Sequence, residues 1–318
     1  MFSRLFLIRF YLPLLLSWTA VMTLWDKWAL FAFAWPMAVT MAFGSFIAGS
    51  TSLGGGAVAF PVMTLILEIP PAVARDFALM IQAVGMMSAS IAILLLRIPH
   101  DRRAVFYGLL GSLPGLLLGL ELISPLLRDA AIKTLFGSFI FSFGLMLWWI
   151  NRHGDRLAAT GLPTLRSPDW MLLVTAGFLG GVVSGILGSG VDIVVFAVLV
   201  LRFGLCEKTA TPTSVILMGV TSLAALLWGS ATGGLHPDAW SYWWAAAPVV
   251  AFGAPFGAWC MSRWSRAAVI RFLCILIVAQ YAGVLLVVPQ TPLLLLLNAG
   301  VIGGGLLAFR MLHRPSPL

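Results

Sequence analysis

The sequence predicts an all-α, polytopic membrane protein built from two inverted-topology repeats with broken helices, in about 10–12 membrane segments. Three observations predict it. Hydrophobic residues make up 61% of the 318 positions and charged residues 9%, whereas a soluble domain is about a quarter charged. Apolar runs near the ~20 residues needed to cross a bilayer recur throughout the chain. A glycine-rich interruption of such a run occurs twice, the first from Gly44 to Gly56 and the second from Gly180 to Asp192, 136 residues later.

The elements follow from the apolar runs. The run from Leu12 to Leu24, preceded by Arg4 and Arg9, lacks a small-x-small cleavage site and another span follows at once, so it reads as an extra N-terminal membrane helix within residues 1–27. Repeat 1 occupies residues 28–150, with runs near 28–50, 54–68, 77–97, 104–123 and 131–150. A cytoplasmic linker covers 151–169, and repeat 2 covers 170–288, with runs near 170–188, 191–203, 212–230, 242–261 and 268–288. A C-terminal helix and a short basic tail complete the chain at 289–318. The runs 54–68 and 191–203 are too short to cross, so each is a partial helix entered from its glycine break.

Loop charge orients the spans. The loops 97–103 (Arg97, Arg102, Arg103), 151–169 (Arg152, Arg156, Arg166) and 262–271 (Arg263, Arg266, Arg271) and the tail (Arg310, Arg314) are basic, which makes them cytoplasmic. Loops 231–241 and 289–291 have no Lys or Arg and fall outside. Both termini are then cytoplasmic, and the net charge of +8 is topogenic rather than a nucleic-acid surface. The first break is entered from the outer face and the second from the cytoplasmic face, so the repeats are inverted. A gapless shift of 136 aligns Gly44 with Gly180, Gly49 with Gly185, Gly54 with Gly190 and Phe60 with Phe196. The pattern returns with Pro114-Gly115 against Pro255-Phe256-Gly257.

Helix-breaking sequence at membrane depth is tolerated where it is buried in protein or lines a cavity, and paired breaks point to a transporter's binding site. A glycine turn opening a half-helix presents unpaired N–H groups and the positive end of a dipole, both of which attract an oxyanion. Residues 53–56, with Gly54, Gly55 and Gly56, and residues 188–191, with Gly188, Ser189 and Gly190, are therefore the first candidates for backbone contact with substrate, with the hydroxyls of Ser50, Thr51, Ser52, Ser184 and Ser189 as uncharged donors. The competing reading is that these glycines only let helices pack closely. Asp192 is a carboxylate deep in a span and a coupling candidate, for a proton or a cation. Equally, it suits an N-cap of the helix from Ile193. Gln82 reads as a mid-span amide that binds substrate or another helix. Thr211, Thr213 and Ser214 read either as substrate contacts or as caps around Pro212 in a first turn. Arg75, toward the outer end, attracts an anion or pairs with Asp76. Gln280, Tyr281 and Asn298 read as interhelical hydrogen bonders, and the tryptophans at span ends, such as Trp148, Trp149, Trp243 and Trp244, as an interfacial belt.

These motifs resemble the sulfite exporter TauE/SafE family: the run 49–61 with Gly54-Gly55-Gly56, the run 185–192, and Ala210-Thr211-Pro212-Thr213-Ser214, within a similarity spanning roughly residues 30–290. The resemblance implies an all-helical transporter moving small anions, typically sulfite or organosulfonates, across the bacterial inner membrane. Two stretches depart from it. Ala74-Arg75-Asp76-Phe77-Ala78 stands where the family often has an Ala-Thr-x-Ser-like stretch, and the second break reads Gly-Ser-Gly-Val-Asp rather than a glycine triplet.

Other classes have less behind them. A membrane-embedded enzyme needs clustered catalytic groups, but His100, His153, His236 and His313 lie in loops or the tail with no metal-ligand spacing. No G-x-x-x-x-G-K-[ST] motif for ATP occurs. Cys206, Cys260 and Cys274 form no CxxC pair. The expectation is a non-enzyme without cofactor or metal, its partners the anion, a coupling proton and the bilayer, with a homodimer compatible with the sequence. A passive anion channel is the alternative to a gradient-driven carrier.

Overall fold

The computed structural model describes residues 12–151, 159, 161–162 and 166–312. Arg4, Arg9, Arg152, Arg156, His153, His313 and Arg314 lie outside the described residues. The chain is almost wholly helical: α1 (Leu12–Leu24), α2 (Phe31–Ser50), α3 (Gly56–Pro61, continued by a wider π turn Val62–Ile66), α4 (Pro71–Leu95), α5 (Arg102–Leu117), α6 (Asp129–Asn151), α7 (Ser167–Leu187), α8 (Val191–Leu201), α9 (Glu207–Thr232), α10 (Pro237–Arg263), α11 (Arg266–Val287) and α12 (Pro292–Leu312). Among the described residues nine helices are long and apolar enough to cross a membrane, and Leu12–Leu24, Gly56–Ile66 and Val191–Leu201 are shorter apolar helices. The protein is a polytopic all-α membrane protein. The two runs expected to be partial helices are partial helices, each following its glycine break.

Three starts fall well before the expected runs. α4 begins at Pro71 rather than near 77, α9 at Glu207 rather than near 212, and α10 at Pro237 rather than near 242. The opening six residues of α4 and of α9 carry charge, which broke the apolar runs, but the charge is buried in the protein: Asp76 and Glu207 are nearly inaccessible. The guanidinium of Arg75 binds Asp76 at 2.7 Å and the Ser124 hydroxyl at 2.6 Å. Pro212 consequently sits inside α9 and not in its first turn.

The register of side-chain contacts gives each helix a direction. Along α5 and α7, Gly177 meets Gly108, Gly181 meets Ser112 and Gly185 meets Leu116, so the two run parallel. Gly108 against Leu217 and the 2.9 Å bond between Ser112 and Thr221 make α9 parallel to α5. On the other side, Phe33 packs on Tyr242 and Phe46 on Phe256, while Trp243 Nε1 donates to Met80 O and Gly85 meets Val250, so α2, α4 and α10 share one direction. Because α2 and α4 run the same way, α3 between them returns; likewise α8 returns between α7 and α9. The loop 96–101 turns the chain from α4 into α5, so the α2/α3/α4 and α7/α8/α9 sets run in opposite senses.

α2 packs chiefly against α10, and α7 against α5. These crossings are so close that a Cβ on Gly49 would run into the carbonyl of Ala254, and one on Gly257 into that of Phe46. In the other crossing Gly185 faces the Leu116 carbonyl and Gly119 that of Val182. α6 packs into this core, its Phe136 stacked on Phe60 and its Phe143 against Phe196, while α11 and α12 lie further out, and Ser138 and Tyr281 hydroxyls both donate to Asn298 Oδ1, at 3.0 and 2.9 Å. The outermost faces are apolar and exposed, as at Leu286, Leu296 and Met311, which suits lipid.

Backbone contact at the α5–α7 crossing leaves no room for a side chain. Gly181→Leu is expected to lower stability by at least ~1–3 kcal/mol through overpacking, read as a lower thermal midpoint of purified protein. Gly304→Leu, where an added Cβ meets nothing within 4 Å, should leave the midpoint unchanged.

Candidate functional site

The two breaks meet. Residues 51–55 interrupt the path from α2 to α3, and residues 188–190 the path from α7 to α8. Gly54 (φ 72°), Gly188 (φ 80°) and Gly190 (φ 156°) adopt backbone angles that L side chains rarely take. Ser189 Oγ donates to Leu53 O at 3.3 Å, tying one break to the other. Those two residues are separated by 136 positions, the same shift that aligns the repeats. A Cβ built on Gly54 would run into Gln82 Oε1 and stand 2.9 Å from Asp192 Oδ2 and 3.1 Å from Ser189 Oγ. On Gly56 it would stand 3.1 Å from Gln82 Nε2. Gln82, in the middle of α4, donates from Nε2 to Ala78 O at 3.0 Å and to Gly188 O at 2.7 Å. The meeting point is closed, for Ser52 and Asp192 are fully buried and Gln82 and Ser189 nearly so.

Polar groups around it differ in how well they are satisfied. In the second break the amide of Val191 donates to Ser184 Oγ at 2.9 Å, that of Ile193 to Asp192 Oδ1 at 3.0 Å, and that of Val194 to Gly190 O. In the first break Leu53 N donates to Thr51 Oγ1, while the amides of Gly54, Gly55 and Gly56 have no acceptor among the described residues. Ser50 Oγ, Ser52 Oγ, Gln82 Oε1 and Asp192 Oδ2 are buried without a hydrogen-bond partner. Such groups are rare in folded proteins and costly in apolar surroundings.

The chain matches the model of the family described as Sulfite exporter TauE/SafE over residues 37–285. That is most of its length. The chain belongs to the TauE/SafE family. No curated protein and no solved structure matched in the other two comparisons. Family membership puts this chain among membrane exporters of sulfite-type anions, which are transporters and not enzymes.

In this TauE/SafE protein Gly54, Gly56, Gln82, Gly188, Ser189, Gly190 and Asp192 come together. Ser184 and Thr51 lie beside the cluster as braces, Ser184 under the first amide of α8 and Thr51 bonded to Ile47 O at 2.8 Å. Thr213 stands elsewhere: its hydroxyl donates to Thr209 O and accepts Asp101 N at 2.9 Å, in the loop between α4 and α5. Ser214 bonds back to Thr211 O. The capping reading of Thr211, Thr213 and Ser214 is overturned, because α9 starts at Glu207 with Cys206 as N-cap. Asp192 is not the N-cap, which is Gly190, but from the first turn of α8 its Oδ1 does accept the Ile193 amide. The expectation of free amides across residues 188–191 also needs correction, since Ser184 takes the amide that opens α8. Leu53 is among the residues expected to make backbone contacts, though its contribution is a carbonyl that accepts from Ser189 and not a free amide. The repeat shift that equates Leu53 with Ser189 was the available signal for that pairing.

Gly54→Ala adds both backbone strain and a methyl group where three side-chain oxygens converge. It should cost ~1–3 kcal/mol, whereas Gly204→Ala, with similar φ (67°) and nothing within 4 Å, isolates the strain alone. Chemical or thermal unfolding of the two variants side by side measures the difference.

Proposed function

We propose that this protein is a secondary transporter that exports small sulfur-containing anions, of the sulfite or organosulfonate class, through the point where the two breaks meet. The observation that carries the reading is the junction itself: two helix interruptions, bonded to each other and closed off from solvent, with free amides at Gly54, Gly55 and Gly56. Those amides, with the unpartnered hydroxyls of Ser50 and Ser52, are donors suited to an oxyanion. The opposite senses of the α2/α3/α4 and α7/α8/α9 sets support inverted repeats, the architecture in which midplane sites alternate between faces. A carrier is favoured over a channel, because a channel needs a continuous wet path and this junction is sealed.

The helix directions also support the expected orientation. They bring Arg97, Arg102, Arg103, Arg166, Arg202, Arg263 and Arg310 to one face, which the loop-charge rule assigns to the cytoplasm. On this reading the protein sits in the bacterial inner membrane with both termini cytoplasmic.

Two measurements test the proposal. Sulfite, thiosulfate or sulfoacetate should raise the thermal midpoint of purified protein, a ligand at one hundred times its Kd adding about 2.7 kcal/mol, and Gly55→Leu should abolish that shift and anion flux in proteoliposomes while the protein still folds. Unchanged flux in folded Gly55→Leu removes the breaks from the mechanism. Separately, a single cysteine introduced at Pro99, after replacement of Cys206, Cys260 and Cys274, should react with an impermeant thiol reagent only once the cytoplasmic face is opened.

A further inference from the structure

Gln82 has only one way to sit. Both hydrogens of its Nε2 are committed, to Ala78 O at 3.0 Å and Gly188 O at 2.7 Å. Its Oε1 must then point away from those carbonyls, and it points at Gly54. Asp192 approaches the same place from the other repeat. Its Oδ1 accepts from Ile193 N, and its Oδ2 comes within 2.9 Å of the position a Gly54 Cβ would occupy. Neither Gln82 Oε1 nor Asp192 Oδ2 has a partner, and both residues are at most 1% exposed. The nearby Ser189 hydroxyl donates to Leu53 O at 3.3 Å.

Two buried acceptors converging on one spot repel each other and forfeit their hydrogen bonds. An ionised carboxylate supplies acceptors only, while a protonated one supplies a donor. Among the described residues no cationic side chain forms an ion pair with Asp192, and Lys133 on α6, whose Phe143 packs on Phe196 of α8, donates to Thr64 O. The first break has no ionisable group. On α4, Arg75 is engaged by Asp76 and Ser124, and Asp76 by Arg75 and the His236 amide. Asp169 at the start of α7 pairs with Arg202 beyond the far end of α8. Glu207 and Lys208 lie at the start of α9, and Arg310 in the last turn of α12.

We propose that Asp192 carries a proton in this closed arrangement and donates it from Oδ2 to Gln82 Oε1, so that a single proton bridges the second break to α4 across Gly54. This rests on the reading of the junction as the transport site, and it names the coupling ion of that site. The proton comes from water at one face and leaves to water at the other, no bond besides O–H being made or broken. With the proton in place the junction is neutral and accepts an anion beside Asp192. Once the proton leaves, the carboxylate repels both Gln82 Oε1 and the anion, and the closed junction loses its bridge.

The test needs no substrate. In infrared spectra of purified protein in lipid, free of sulfur anions, wild type should show a protonated-carboxyl stretching band that Asp192→Asn lacks and Gln82→Leu shifts. Raising the pH should remove the band and lower the thermal midpoint together. Asp192→Asn, whose amide nitrogen can donate to Gln82 Oε1, should fold and show a midpoint without that pH dependence. Absence of the band in folded wild type overturns the proposal, and so does a midpoint that responds to sodium but not to pH, which would put an alkali ion between the two oxygens. An anion-induced midpoint shift that survives either result keeps the transport-site reading while the proton is discarded. A band with no anion effect does the reverse.

Discussion

Everything in this structure depends on what an apolar environment does to an unpaired backbone group. Each break in a helix frees N–H and C=O groups that lipid cannot bind and water cannot reach. The fold answers by setting the two breaks against each other, so that Ser189 reaches Leu53 O, Gln82 reaches Gly188 O and Ser184 takes the first amide of α8. The solution is incomplete at Gly54, Gly55 and Gly56, and at one oxygen each of Gln82 and Asp192. Buried polar groups left bare are rare in packed proteins, and the proposed anion and proton would take up this unsatisfied remainder.

Such close mutual cover requires helices to cross at backbone distance, which is what the glycines outside the breaks provide. Gly49 against Ala254 is matched by Gly185 against Leu116, and Gly257 against Phe46 by Gly119 against Val182. In each pair the broken helix of one half lies on the α5 or α10 counterpart of the other half, so neither half encloses its own break. The matching stops at the polar centre. The position equivalent to Gln82 is Met218, and that equivalent to Asp192 is Gly56. One ionisable group therefore serves a junction that is otherwise built twice. Two carboxylates there would oppose each other and any anion between them.

Composition and run length made the membrane class and the short α3 and α8 legible, because both depend only on apolarity and glycine, which a sequence displays. The pairing of Leu53 with Ser189 was legible in principle from the sequence shift of 136 that aligns the two glycine breaks. Less accessible were the starts of α4 and α9. Arg75, Asp76, Glu207 and Lys208 look like loop residues until tertiary partners are known, and burial of Asp76 with Arg75 reverses that preference. The role of Thr213 was hidden for a related reason: its partner is a backbone amide 112 residues away.

That last bond has a counterpart. At the start of α4, Asp76 accepts the amide of His236 at 2.9 Å, in the loop before α10; near the start of α9, Thr213 accepts the amide of Asp101 at 2.9 Å, in the loop before α5. The clasps join equivalent elements but lie beyond opposite ends of α4, hence at opposite faces. Between them lies the closed junction. The two differ chemically. Asp76 is part of a charged set with Arg75 and Ser124, whereas Thr213 is a neutral hydroxyl that also donates to Thr209 O. A charge-assisted bond is roughly twice as strong as a neutral one, so the Asp76–His236 bond is the stronger of the two, while at the basic face Asp101 adds a cap on α5 through the amides of Arg103 and Ala104 and an ion pair with Arg103 at 3.3 Å.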